Sequence, residues 1–108
     1  MPRNARRYDL FLPLTYNDGR PIARKLFDVV ERRLLERFRG LTSQRHEFSL
    51  RGMWQTRRRR YDDEVIVMTA LDLRRQGSTR FISSLKAKLL EEFEQMEILI
   101  TETRLRVH

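Results

Sequence analysis

The chain of 108 residues is 40% hydrophobic and 35% charged, with 23 basic against 15 acidic side chains and a net charge of +8. That length supports one hydrophobic core, hence a single domain over residues 1–108, and the composition excludes a disordered tail. It has no cysteine, which excludes a disulfide scaffold, thiolate metal sites and thiol nucleophiles; with no stretch long enough for a membrane helix either, a cytoplasmic location and no membrane partner are expected.

In chain order, residues 8–14 place Tyr8, Leu10 and Leu12 on one side of a first strand and Phe11 on the other. The apolar run at 10–14 contains Pro13 and is too short for a signal-peptide core. Thr15-Tyr16-Asn17-Asp18-Gly19 closes this strand with residues that turn a backbone cheaply, and Pro21 suits the first turn of a helix. Ile22, Leu26, Val29, Val30, Leu34 and Phe38 recur at spacings of three and four, the apolar stripe of a helix running to Arg39 and ended by Gly40. Residues 42–47 form a loop.

Phe48, Leu50, Gly52 and Trp54 then alternate with polar neighbours, the pattern of an edge strand. A hairpin connection at 56–60 leads to a strand over 61–73, where Val65-Ile66-Val67-Met68 is apolar on both faces, as a central strand requires. Ser78 or Thr79 caps a second helix whose buried stripe is Ile82, Leu85, Leu89 and Phe93. A last strand covers 97–106 around Ile98-Leu99-Ile100.

The order is βαββαβ. It predicts an α+β, ferredoxin-like sandwich: a four-stranded antiparallel sheet of spatial order 4132 with two helices on one face. One sheet face is then uncovered, yet Phe11, Leu99 and one alternating pair of the third strand, taken as Ile66 and Met68, point to it. Contiguous apolar patches of a few hundred Å² mark interfaces, so these four residues are expected to form the seam of a homo-oligomer. Covering ~400 Å² on each of two partners contributes on the order of 20 kcal/mol before association costs.

The same topology gathers arginines at one end. Twenty of the 23 basic residues are arginine, and the end that carries the start of the first strand, the end of the first helix, the start of the second helix and the end of the last strand collects Arg3, Arg6, Arg7, Arg37, Arg39, Arg74, Arg75, Arg80, Arg104 and Arg106. Arg74, Arg75, Ser78, Thr79 and Arg80 surround a helix N-terminus, a site for phosphate or another anion. The run Arg57-Arg58-Arg59-Arg60 at the other end is neighboured by Asp62, Asp63 and Glu64.

Leu10-Phe11-Leu12 looks like the short first-strand motif of the RNA recognition motif family, but Asp62-Asp63-Glu64-Val65-Ile66-Val67-Met68 stands where that family carries basic, glycine and aromatic residues. Carboxylates repel phosphates and aliphatic side chains stack no bases, so nucleic acid is not the expected partner; weak binding through the basic end is a further alternative. Catalysis is not expected either. His46 and His108 form no triad or metal spacing, and no metal or cofactor is implied. The alternative is a small-molecule enzyme or ligand carrier with a pocket near Trp54, Tyr61 and Glu64, in which Tyr61 and a buried Glu64 would be the candidate acid or base.

Phe38-Arg39-Gly40-Leu41-Thr42, Gly52-Met53-Trp54, Glu64 and Phe93-Glu94-Gln95-Met96-Glu97 resemble, in that order, the pattern of a group of small bacterial ferredoxin-like proteins of uncharacterised function. Met96 departs from it, standing where that group carries an acidic residue. The resemblance implies the same fold and a shared role for Gly40, Trp54, Glu64 and Gln95; it implies no activity. The best reading of the residues is a small binding or interaction protein that associates through its open sheet face.

Overall fold

The computed structural model describes residues 1–38, 40–55, 60–74 and 76–108, with side chains excepted at 48, 54, 55 and 60–62. Its elements are β1 (Arg3–Pro13), α1 (Arg24–Phe38), β2 (Leu41–Ser43), a single 3-10 turn (His46–Phe48), β3 (Leu50–Gln55), β4 (Arg60–Asp72), α2 (Thr79–Glu92) and β5 (Ile100–Val107). All strand pairs described are antiparallel: β4 and β1 lie at the centre, β5 pairs with β1, and β2 and β3 both pair with β4.

Five strands therefore stand where four were expected. The edge beside β4 is made in two pieces: Leu41–Ser43 pairs with residues 68–70, and Leu50–Gln55 pairs with 60–65. Gln44 bridges the gap. Its Oε1 accepts from the Val67 N–H at 3.0 Å and its backbone N–H donates to the Val67 carbonyl at 3.4 Å, so both backbone groups of Val67 are satisfied by one residue.

One face of the sheet is dry. Tyr8, Leu10 and Leu12 of β1 and Ile66, Met68 and Ala70 of β4 alternate onto it and are buried together with Phe27, Val30 and Leu34 of α1 and Leu85 and Leu89 of α2. Both helices thus cover the same face. Arg33 of α1 grips Glu92 of α2 with two bonds of 2.6 and 3.2 Å, and Phe27 meets Phe93 edge-to-face at 5.3 Å.

Local chemistry explains the ends. Gly19 at φ 89° closes the turn after β1, where Thr15 and Pro21 form an isolated bridge; Pro21 is thereby held ahead of α1, outside its first turn, where sequence alone had placed it. The stop of α2 is a Schellman motif: Gln95 N–H donates to Leu90 O at 2.9 Å and Glu94 N–H to Glu91 O at 3.2 Å, with Glu94 itself left-handed at φ 51°. Gln95 Nε2 also donates to the Phe93 carbonyl. The Phe93-Glu94-Gln95 part of the family-like pattern is, physically, a helix stop plugged into the core by Phe93.

Candidate functional site

The face away from the helices carries the other half of the alternation. Phe11 stands opposite Val67, Pro13 opposite Val65, and Leu50 opposite Val65 from the other side, while Leu99 lies beside Phe11, whose N–H donates to the Leu99 carbonyl at 3.0 Å. Phe11, Val65 and Val67 are half-buried by their neighbours; Leu50 and Leu99 are 47% and 56% exposed. Asp9 borders this patch, held by Thr69 Oγ1 at 2.6 Å and Arg7 Nε at 3.1 Å.

Of the four expected seam residues, Phe11 and Leu99 lie on this face. Ile66 and Met68 do not: at 1% and 0% exposure they are core residues beneath the helices, and Val65 and Val67 take the outward positions. A one-residue phase difference exchanges the two sets, and both sets are apolar, so alternation alone carried no information about which was which.

The set Trp54, Tyr61 and Glu64 is divided. Trp54 and Tyr61 are register partners, but their side chains lie outside the described residues. Glu64 stands opposite Arg51 in the register, on the face shared with Ile66, and it is exposed where a buried position was expected. Gly40 is exposed at the lead-in to β2, Arg39 lies outside the described residues, and Gln95 is engaged at the stop of α2.

The expected anion site also differs in kind. Ser78 does precede α2, but its hydroxyl makes no cap bond: it donates to Asp72 Oδ2 at 2.9 Å and accepts from Arg37 Nε and Nη2 at 3.2 and 3.0 Å. The Ser78 N–H donates to the Tyr8 hydroxyl at 3.1 Å, and Asp72 Oδ1 accepts from the Arg74 N–H at 2.9 Å. Arg74 Nη1 turns to the Arg37 carbonyl at 2.7 Å. Asp72 and Ser78 are both buried, so the anion beside this helix start is the chain's own carboxylate. Thr79 and Arg80 remain exposed on the first turn of α2, and Arg75 lies outside the described residues. Nothing local in the sequence links Asp72, Arg37 and Tyr8; only packing of β4, α1 and β1 does.

Burial, chiefly, and the neighbouring Glu102 carboxylate hold the Tyr8 phenol above its ordinary pKa of 10.0, with the Ser78 N–H pulling the other way. The folded state thus retains this proton where the unfolded chain has lost it. Stability is expected to be unaffected by Tyr8 below pH 10 and to fall as pH rises from there through the folded pKa. Thermal melts across pH 9–11.5 should show that decline, and it should be weaker in Tyr8→Phe.

A depression of about 620 Å³ lies between α1 and the 3-10 turn, bordered by Arg24, Asp28, Glu31, Gln44 and His46. His46 packs edge-on to Phe27 at 4.7 Å and its Nε2 is buried with no hydrogen-bond partner among the described residues. No group of three potential metal ligands occurs among the described residues, and no helix among them is long and apolar enough to cross a membrane.

The fold is of the α+β class, an antiparallel sheet bearing two helices on one face. Neither a family model nor a curated protein matches the sequence. Among solved structures, a phage SAM lyase in complex with S-methyl-5′-thioadenosine is similar with a TM-score of 0.60 and 16% identity, over 95% of this chain and 88% of that one. A phage SAM lyase in the apo state gives 0.56 and 15%, over 98% and 89%. At these identities the likeness is one of fold.

Proposed function

We propose that this chain is a ferredoxin-like binding domain that works as an assembly of its own copies, joined through the open sheet face. The observation that carries this is the contiguous set Phe11, Leu50, Val65, Val67 and Leu99 on the face that neither helix covers. A second copy is the fitting occupant because the patch is apolar at its centre and carries Asp9, Arg7 and Thr69 at its border, groups that pair without needing a differently charged partner. Light scattering on the purified chain should give a mass of two or more chains at micromolar concentration; a single-chain mass at the highest soluble concentration rejects the proposal.

A second reading, small-molecule chemistry near Trp54, Tyr61 and Glu64, is supported by the solved neighbour that holds S-methyl-5′-thioadenosine over most of the same fold. Glu64 is exposed in the single chain, so under this reading a neighbouring copy encloses it. Calorimetric titration with S-methyl-5′-thioadenosine is the test: saturable heat with the native chain, lost in Glu64→Gln, supports this reading, and no heat with the native chain removes it.

A further inference from the structure

At the end of the sheet where β1 begins and β5 finishes, a groove of about 640 Å³ is lined by Arg3, Arg6, Arg74, Arg104, Leu105 and Arg106, with no carboxylate in its lining among the described residues. Two of these cations are engaged: Arg6 Nε lies 3.8 Å from Glu102, and Arg74 holds the Arg37 carbonyl. Arg3, Arg104 and Arg106 pair with no carboxylate among the described residues. The register sets Arg6 opposite Arg104 and Asn4 opposite Arg106, so charges follow one another along the ribbon at about 7 Å per two residues.

We propose that this groove seats the phosphate backbone of duplex nucleic acid without reading its sequence. A row of exposed guanidinium groups holds a single small anion poorly, because each is hydrated and mobile; a polyanion rewards every one of them through the release of its condensed counterions. Guanidinium groups also match phosphate oxygens with paired bonds. The lining contains no aromatic side chain, so a single strand would gain no stacking there, which favours the duplex. The acids Asp62, Asp63 and Glu64, which argued against nucleic acid in the sequence, belong to the far end of β4 from the groove. Asp72 pairs with Arg6 at the groove end of β4, and Asp63 lies nine residues along the same strand, about 30 Å away, beyond a screening length of about 10 Å at 0.1 M salt.

Fluorescence anisotropy of the full chain with a labelled mixed-sequence 20-base-pair duplex, between 50 and 200 mM salt, tests this. Three unpaired arginines predict a log–log salt slope of about −2.7 per bound chain, an affinity loss of about 40-fold over that range. Arg104→Gln with Arg106→Gln should remove about two-thirds of the slope and weaken binding at least tenfold at 50 mM, with the thermal melt unchanged. Arg57→Gln with Arg58→Gln, in the segment of sequence between β3 and β4, should leave both quantities as they are. The proposal is overturned if the 104/106 pair leaves slope and affinity unaltered, if the 57/58 pair carries the loss instead, or if a single strand of the same length binds more tightly than the duplex. None of these outcomes depends on whether the sheet faces associate.

Discussion

If the chain assembles through its open sheet face as proposed, Val67→Asp is expected to give single chains while leaving each chain folded. Val67 faces away from the helices, opposite Phe11, and its backbone bonds to Gln44 do not involve its side chain. In an isolated chain the new carboxylate stays hydrated, and the cost is the loss of a β-branched strand residue, under about 1 kcal/mol. In a dry seam the same carboxylate is stripped of water without a partner. At about 3 kcal/mol for each of two copies, association weakens by about four orders of magnitude. Light scattering reads the mass and a thermal melt reads the fold. Where the native chain gives a mass of two or more copies, a mass that does not change in Val67→Asp shows that the copies meet elsewhere. The substitution Met68→Asp makes the complementary control, because Met68 is buried beneath the helices and its replacement should unfold the chain outright.

Asp72→Ala is expected to cost about 3 kcal/mol of folding stability, lowering the melting temperature by roughly 12–20 °C. Asp72 is 1% exposed and accepts from the Ser78 hydroxyl and the Arg74 N–H, and Ser78 in turn accepts from Arg37. Truncation leaves a buried hydroxyl and a backbone donor without their acceptor and removes the negative charge between two arginines, the kind of loss that exceeds the net worth of the bonds themselves. Asp72→Asn should cost less, since its carbonyl can still accept from Arg74. Thermal melting of Asp72→Ala, Asp72→Asn and Ser78→Ala should rank them in that order of damage. Equal melts for Asp72→Ala and the native chain would mean that the network contributes nothing.

The two apolar stripes and the changes of period between them were legible in residue order, because an α-helix and a strand repeat apolar groups at different intervals and each stripe is long enough to display its interval. The helix exposing Leu85 and Leu89 to the core, and the doubly apolar β4, were readable for that reason. Leu41–Ser43 was not: three residues have no period, and they pair with residues of β4 that lie far along the chain. The stop at Phe93-Glu94-Gln95 lacks glycine, so the usual signal of a left-handed residue was missing although the backbone adopts it.

By itself, then, the sequence determined the two helices and the longer strands, that β4 is apolar on both faces, and that arginine outnumbers every opposing charge. Only the tertiary structure decided that Ile66 and Met68 go under the helices while Val65 and Val67 face out, that Asp72 neutralises the start of α2 from within, and that Arg3, Arg104 and Arg106 share a groove. The reason is common to all three. Periodicity is a property of neighbours along the chain, whereas the phase of a strand and the partners of a charge are chosen by residues far apart in the chain that meet only when the sheet is assembled.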